Sequence, residues 1–150
     1  MLNATITSRA FSSGFDIRTP IGIYSAKKVP LSSEIRLLDA SDNQAARLQV
    51  ESFLSSVYTI IITGGGFYRF GRDGSETWIC EGEGRLFRIS ETGKHRFLVI
   101  EGAQQIAECK KSRWFNDYEV DLFSHPDLKL MLCVFIALSE LEYQSQPAQP

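Results

Sequence analysis

The segment KKSRWF, residues 110–115, gathers more chemistry than any other short stretch of this chain. Lys110, Lys111 and Arg113 are cations that attract phosphate, and Trp114 and Phe115 stand beside them. A headgroup-binding surface uses this mixture: charge meets the phosphates while the indole sits at the polar boundary. AKK, residues 26–28, ends an early strand and adds Lys27 and Lys28 to the candidate patch. Anionic phospholipid headgroups are the ligand class that such a set would take. A plainer reading competes with it: Trp114 closes the mouth of the fold, and the lysines are solvated tips that deter sheet pairing.

Other chemistry finds little support. In GGGFYRFGRDG, Gly66 and Gly71 have the spacing of a phosphate loop, but Arg72 and Asp73 replace the Lys-Ser/Thr pair and no helix follows. Glycines supplying positive φ at a hairpin turn explain the stretch better. The two histidines, His95 and His125, join no nucleophile elbow, HExxH motif or cysteine cluster, so structural roles are expected. The carboxylates mostly alternate outward along strands, and no pair stands out as an acid–base dyad. The expectation is therefore no catalytic residue, no metal and no cofactor.

Totals narrow the field further. At 150 residues the chain suits one domain with a sizeable core. A composition of 43% hydrophobic and 23% charged residues is that of an ordinary soluble protein. Sixteen basic residues against eighteen acidic ones leave a net charge of −2, which argues against a nucleic-acid partner. Cys80, Cys109 and Cys133 are odd in number and widely spaced, which fits buried thiols in a reducing compartment. The N-terminal MLNATITSRAFSSG lacks the apolar core of a signal peptide. A cytoplasmic location follows, with any membrane met only at its surface.

The elements that must position these residues are legible in the hydrophobic pattern. HPDLKLMLCVFIALSELEY, residues 125–143, holds an unbroken apolar run from Leu130 to Leu138. A membrane span needs roughly 20 apolar residues, and Asp127, Lys129, Glu140 and Glu142 close the window sooner. Ser124 as N-cap, Pro126 in the first turn and Asp127 three residues on predict a helix start. A helix apolar on every side must be buried on every side.

Upstream, strands dominate. EIRLLDA (34–40) and AARLQVES (45–52) flank a polar turn, and Ala46, Leu48 and Val50 alternate with Arg47, Gln49 and Glu51. VYTIIIT, FYRFGRDG, ETWICEG, GRLFRIS, HRFLVIEG, QQIAECKK and DYEVDLF continue the series. About ten short strands at this spacing predict an all-β barrel or sandwich. A wide barrel needs filling, and the apolar helix would fill it. The predicted fold is mainly β: a closed antiparallel β-barrel of about 10–12 strands around a central hydrophobic C-terminal α-helix. Residues 1–14 read as a flexible N-terminus, 15–143 as the barrel domain and 144–150 as a disordered tail.

This pattern resembles the Tubby C-terminal-like superfamily, and within it the LURP-one-related branch, as a small bacterial-type member. The residues that carry the resemblance are Ile106-Ala107, Lys110, Trp114, Tyr118-Glu119-Val120 and, before the apolar helix, Asp127. Ser139 departs from the pattern, standing where an acidic residue often follows the helix. The resemblance implies a non-enzymatic barrel. Tubby proteins bind phosphoinositide headgroups and phospholipid scramblases share the barrel, so a phospholipid- or membrane-surface-binding module is expected. A protein-interaction or structural scaffold without a small ligand is the alternative. No residue here matches a Tubby phosphoinositide motif, so no ligand role is carried over.

Overall fold

The computed structural model describes residues 1–8, 14–52, 57–111 and 117–145. Twelve strands form a closed barrel. They are β1 (Leu2–Ser8), β2 (Gly14–Thr19), β3 (Gly22–Lys28), β4 (Glu34–Leu38), β5 (Gln44–Ser52) and β6 (Val57–Ile62). The second half is β7 (Gly66–Arg72), β8 (Thr77–Gly82), β9 (Arg85–Gly93), β10 (Arg96–Glu101), β11 (Gln104–Lys111) and β12 (Asp117–Leu122). Each strand pairs antiparallel with its neighbours in sequence, and β1 closes the ring against β12. A 3₁₀ turn (His125–Asp127) then leads into the helix α1 (Leu128–Ser145).

Period-two alternation builds the wall. In β12, Tyr118, Val120 and Leu122 are buried while Glu119 is exposed, as the alternation requires. In β5, Ala46 and Leu48 point inward. The inward rows meet α1, whose residues Leu130–Leu138 are all buried. A fully buried large apolar side chain stabilises by about 1.5–3 kcal/mol, so the helix is the other half of the core. The fold class is as the pattern predicts. No described helix is long and apolar enough to cross a membrane.

The N-terminus corrects the sequence reading. Residues 1–14 were expected to be flexible, yet Leu2–Ser8 is β1, held on one side by β12 and on the other by β2. Leu2, Ala4 and Ile6 are buried between outward Asn3, Thr5 and Thr7. A composition rich in Ser, Thr and Asn hides this alternation, although β-branched Thr suits a strand's outer face. The barrel therefore includes Leu2–Ser8. At the other end Gln144 and Ser145 belong to α1, not to a tail, and residues 146–150 lie outside the described residues.

Two details bear on earlier expectations. Gly64 and Gly66 have positive φ (72° and 104°) at the β6–β7 turn, which supports the hairpin reading of GGGFYRFGRDG. The three cysteines are buried and form no disulfide. Burial pushes the Cys80 thiol up to about 12, and Cys133 is raised further by the same cause.

Candidate functional site

Odd- and even-numbered strands run in opposite directions, so each mouth of the barrel carries alternate turns. Strand β12 delivers the chain to α1 at one mouth, the helix-start mouth. The ends of β3, β9 and β11 lie at the other, the helix-end mouth.

Lys27, Lys28, Lys110 and Lys111 therefore share the helix-end mouth, but not one patch. Between β3 and β11 stand β2, β1 and β12, and four steps of about 4.8 Å separate them by ~19 Å around the wall. Lys27 is exposed. Lys28 is partly exposed, with its Nζ 3.0 Å from Glu140 Oε1 of α1, so its charge is paired with the helix. Lys111 is half-buried with its Nζ 5.8 Å from the centre of the Tyr118 ring, a cation–π distance. Lys110 is exposed on the outer face. Arg113, Trp114 and Phe115 lie outside the described residues.

The structure supplies different companions for Lys110. In the β10–β11 register Arg96 stands directly opposite it, and both are exposed. Directly opposite residues have Cβ atoms about 4.5–5.5 Å apart, where like charges destabilise. Lys94, also exposed, sits in the turn between β9 and β10, where His95 adopts φ 60°. The backbone N–H of Lys111 donates to the His95 carbonyl at 2.9 Å, which ties this turn to the end of β11. Lys94, Arg96 and Lys110 make no ion pair among the described residues. Glu119, opposite Lys110 on β12, is the nearest acidic residue in register. The result is a basic ridge across two adjacent hairpin ends.

A second charged cluster sits at the helix-start mouth. Arg85, at the start of β9, donates to Glu101 Oε2 (2.7 Å) and Oε1 (2.8 Å) and to Asp127 Oδ1 (2.7 Å) and Oδ2 (3.1 Å). The Ser124 hydroxyl donates to Asp127 Oδ2 at 2.7 Å rather than capping a backbone N–H. The Arg85 guanidinium also lies 4.6 Å from the centre of the Phe87 ring. Burial pushes the Asp127 carboxyl up, but the hydrogen bonds from Arg85 and Ser124 outweigh it and hold it below its usual range. The Arg85 hydrogen bonds hold Glu101 low as well. Two carboxylates thus converge after all, but as ionised counter-charges to one arginine. That is a latch fixing the helix start to the rim, not an acid–base dyad. Among the described residues no group of three His, Cys, Asp or Glu side chains could hold a metal ion.

Sequence reasoning missed the ridge and the latch for different reasons. GKHR at 93–96 was visible as a basic strand start, but its partner depends on the register. Asp127 was visible before the helix, but Arg85 lies 42 residues away in sequence.

No family model matches the chain, and no curated protein matches it in sequence. Among solved structures it is similar to a protein from Arabidopsis thaliana, known by the locus AT5G01750. The TM-score is 0.71 at 13% identity, covering 94% of this chain and 91% of that one. At that identity the likeness concerns the fold.

Proposed function

We propose that this barrel is a non-enzymatic module of the Tubby C-terminal-like, LURP-one-related type, which docks on anionic phospholipid surfaces through its helix-end mouth. One observation carries the reading. Arg96 and Lys110 stand opposite each other with no ion-pair partner among the described residues, at a cost in stability. An arrangement that opposes folding calls for a use, and an anionic surface relieves the repulsion. Lys94 extends the ridge, and KKSRWF continues from it in sequence. Each such cation near an anionic bilayer contributes about 1 kcal/mol, which suits weak peripheral binding by a protein in the cytoplasm.

The test is co-sedimentation with phosphatidylserine vesicles and phosphatidylcholine controls at low and high salt. Binding is expected to need phosphatidylserine and to fall with salt. Replacing Lys94, Arg96 and Lys110 by Gln should weaken it by at least about a hundredfold, with the melting curve little changed, because the cross-strand repulsion leaves with the charges. Wild-type protein that ignores these vesicles at low salt would sink the proposal.

A protein-interaction module is the second reading, and the opposite end favours it. Among the described large exposed apolar residues, Met1, Ile21, Ile23, Phe67, Leu86 and Phe123 lie at the helix-start mouth and Leu31 at the other. Clustered exposed apolar residues mark contact surfaces more often than scattered ones.

A further inference from the structure

At the helix-start mouth a pocket of about 340 Å³ opens between the first turns of α1 and the walls of β3, β6 and β7. That volume lies at the lower end of small-molecule sites, which span roughly 300–1,000 Å³. Ile62, Leu128 and Leu130 supply apolar surface, and Tyr24, Thr63 and Tyr68 line it with hydroxyl-bearing side chains.

Tyr68 is the informative residue. It is only 6% exposed, yet its hydroxyl makes no hydrogen bond among the described residues. Nor is the oxygen sealed away; it meets the pocket. The hydroxyl thus keeps its donor and acceptor free for whatever enters the pocket. Burial raises the Tyr68 pKa, so at neutral pH the group is a protonated donor.

Charge narrows the occupant. Lys129 lines the pocket and makes no ion pair among the described residues. Asp127 also lines it, but both its oxygens are engaged by Arg85, and Ser124 shares one of them. The pocket therefore offers one ammonium, the His125 imidazole and several hydroxyl-bearing side chains beside a compact apolar wall. A single cation suits a single negative charge.

From this we infer that the pocket binds a small organic monocarboxylate with a compact apolar body. The carboxylate meets Lys129 and the Tyr68 hydroxyl, and the body packs on Ile62, Leu128 and Leu130. This site is at the opposite end of the barrel from the basic ridge and does not depend on it.

The probes are benzoate and hexanoate, titrated into ¹⁵N-labelled protein and followed through backbone amide shifts. Benzyl alcohol and benzylamine serve as neutral and cationic controls. The carboxylates should shift the amides of Thr63–Gly65 and of Lys129 and Leu130, with both controls at least about tenfold weaker. Lys129→Met should weaken benzoate about tenfold, and Tyr68→Phe should weaken it several-fold without lowering the melting temperature. Ile62→Trp fills the pocket and should abolish the shifts; Tyr68→Phe conserves shape, so the test survives if Ile62→Trp fails to fold. The inference is overturned by equal binding of benzylamine, by shifts confined to other regions, or by no shift at millimolar benzoate.

Discussion

Arg85 makes four hydrogen bonds to two carboxylates from different elements, which makes it the residue most worth changing. Its planar fork meets Glu101 and Asp127 together, which a lysine's point charge would not reproduce. Asp127 is 6% exposed, so Arg85→Ala leaves a buried carboxylate without its counter-charge. Arg85 itself is partly solvated, so the loss should be about 1–3 kcal/mol, below the range for a fully buried pair. The latch also has a pH signature. Both carboxyls are held below their ordinary values, so their contribution is complete above the unfolded values near pH ~4. It is lost as pH falls through the lower folded values. The melting temperature should therefore hold from neutral pH to about pH 5 and drop below about pH 4, with a smaller acid drop in Asp127→Asn. An acid drop identical in both proteins would contradict the assignment.

Among the elements, β1 and α1 test the architecture most directly. Deleting residues 1–8 removes the strand between β2 and β12 and leaves two unpaired edges. Unpaired edges aggregate. The truncated protein should lose its cooperative melt and elute as soluble aggregate on gel filtration. If residues 1–8 were a flexible leader, as their composition suggests, the deletion would change neither. The helix tolerates even less. Val134 is fully buried, so Val134→Asp places an unpaired charge in the core and should leave the protein insoluble or unfolded.

On the scale of the whole molecule, the barrel has two unlike mouths. The helix-end mouth carries the Lys94–Arg96–Lys110 ridge, and the helix-start mouth carries the latch, the pocket and most of the exposed apolar residues. The net charge of −2 conceals this polarity. If the ridge carries a repulsion that only a partner relieves, Arg96→Glu should stabilise the free protein, because Arg96 faces Lys110 on one side and Gly93 on the other. Facing Lys110 with an opposite charge is worth a few tenths of a kcal/mol up to about 1, visible as a higher melting temperature, while vesicle binding falls. A lower melting temperature would show that Arg96 has a structural role instead.

Much of this was legible in the sequence. Alternation of apolar and polar residues determined the strands, because a half-buried strand must alternate whatever surrounds it. The run Leu130–Leu138 determined a helix buried on all sides, since no exposed face of it could be wetted. The same period runs through Leu2, Ala4 and Ile6, but the short span and polar composition masked it. Tertiary structure decided the rest. A register shift between Val99 and Ile100 puts Arg96 opposite Lys110. Without it Arg96 would face Cys109, whose side chain points into the barrel, because one residue of slip exchanges the two faces of a strand. Arg85 and Asp127 met only when β9 and the helix start came to the same rim. The pocket beside Tyr68 forms where the helix start meets the β2–β3 and β6–β7 turns, which lie far apart in sequence. Local pattern specifies an element; which side chains converge depends on register and closure, which no single segment encodes.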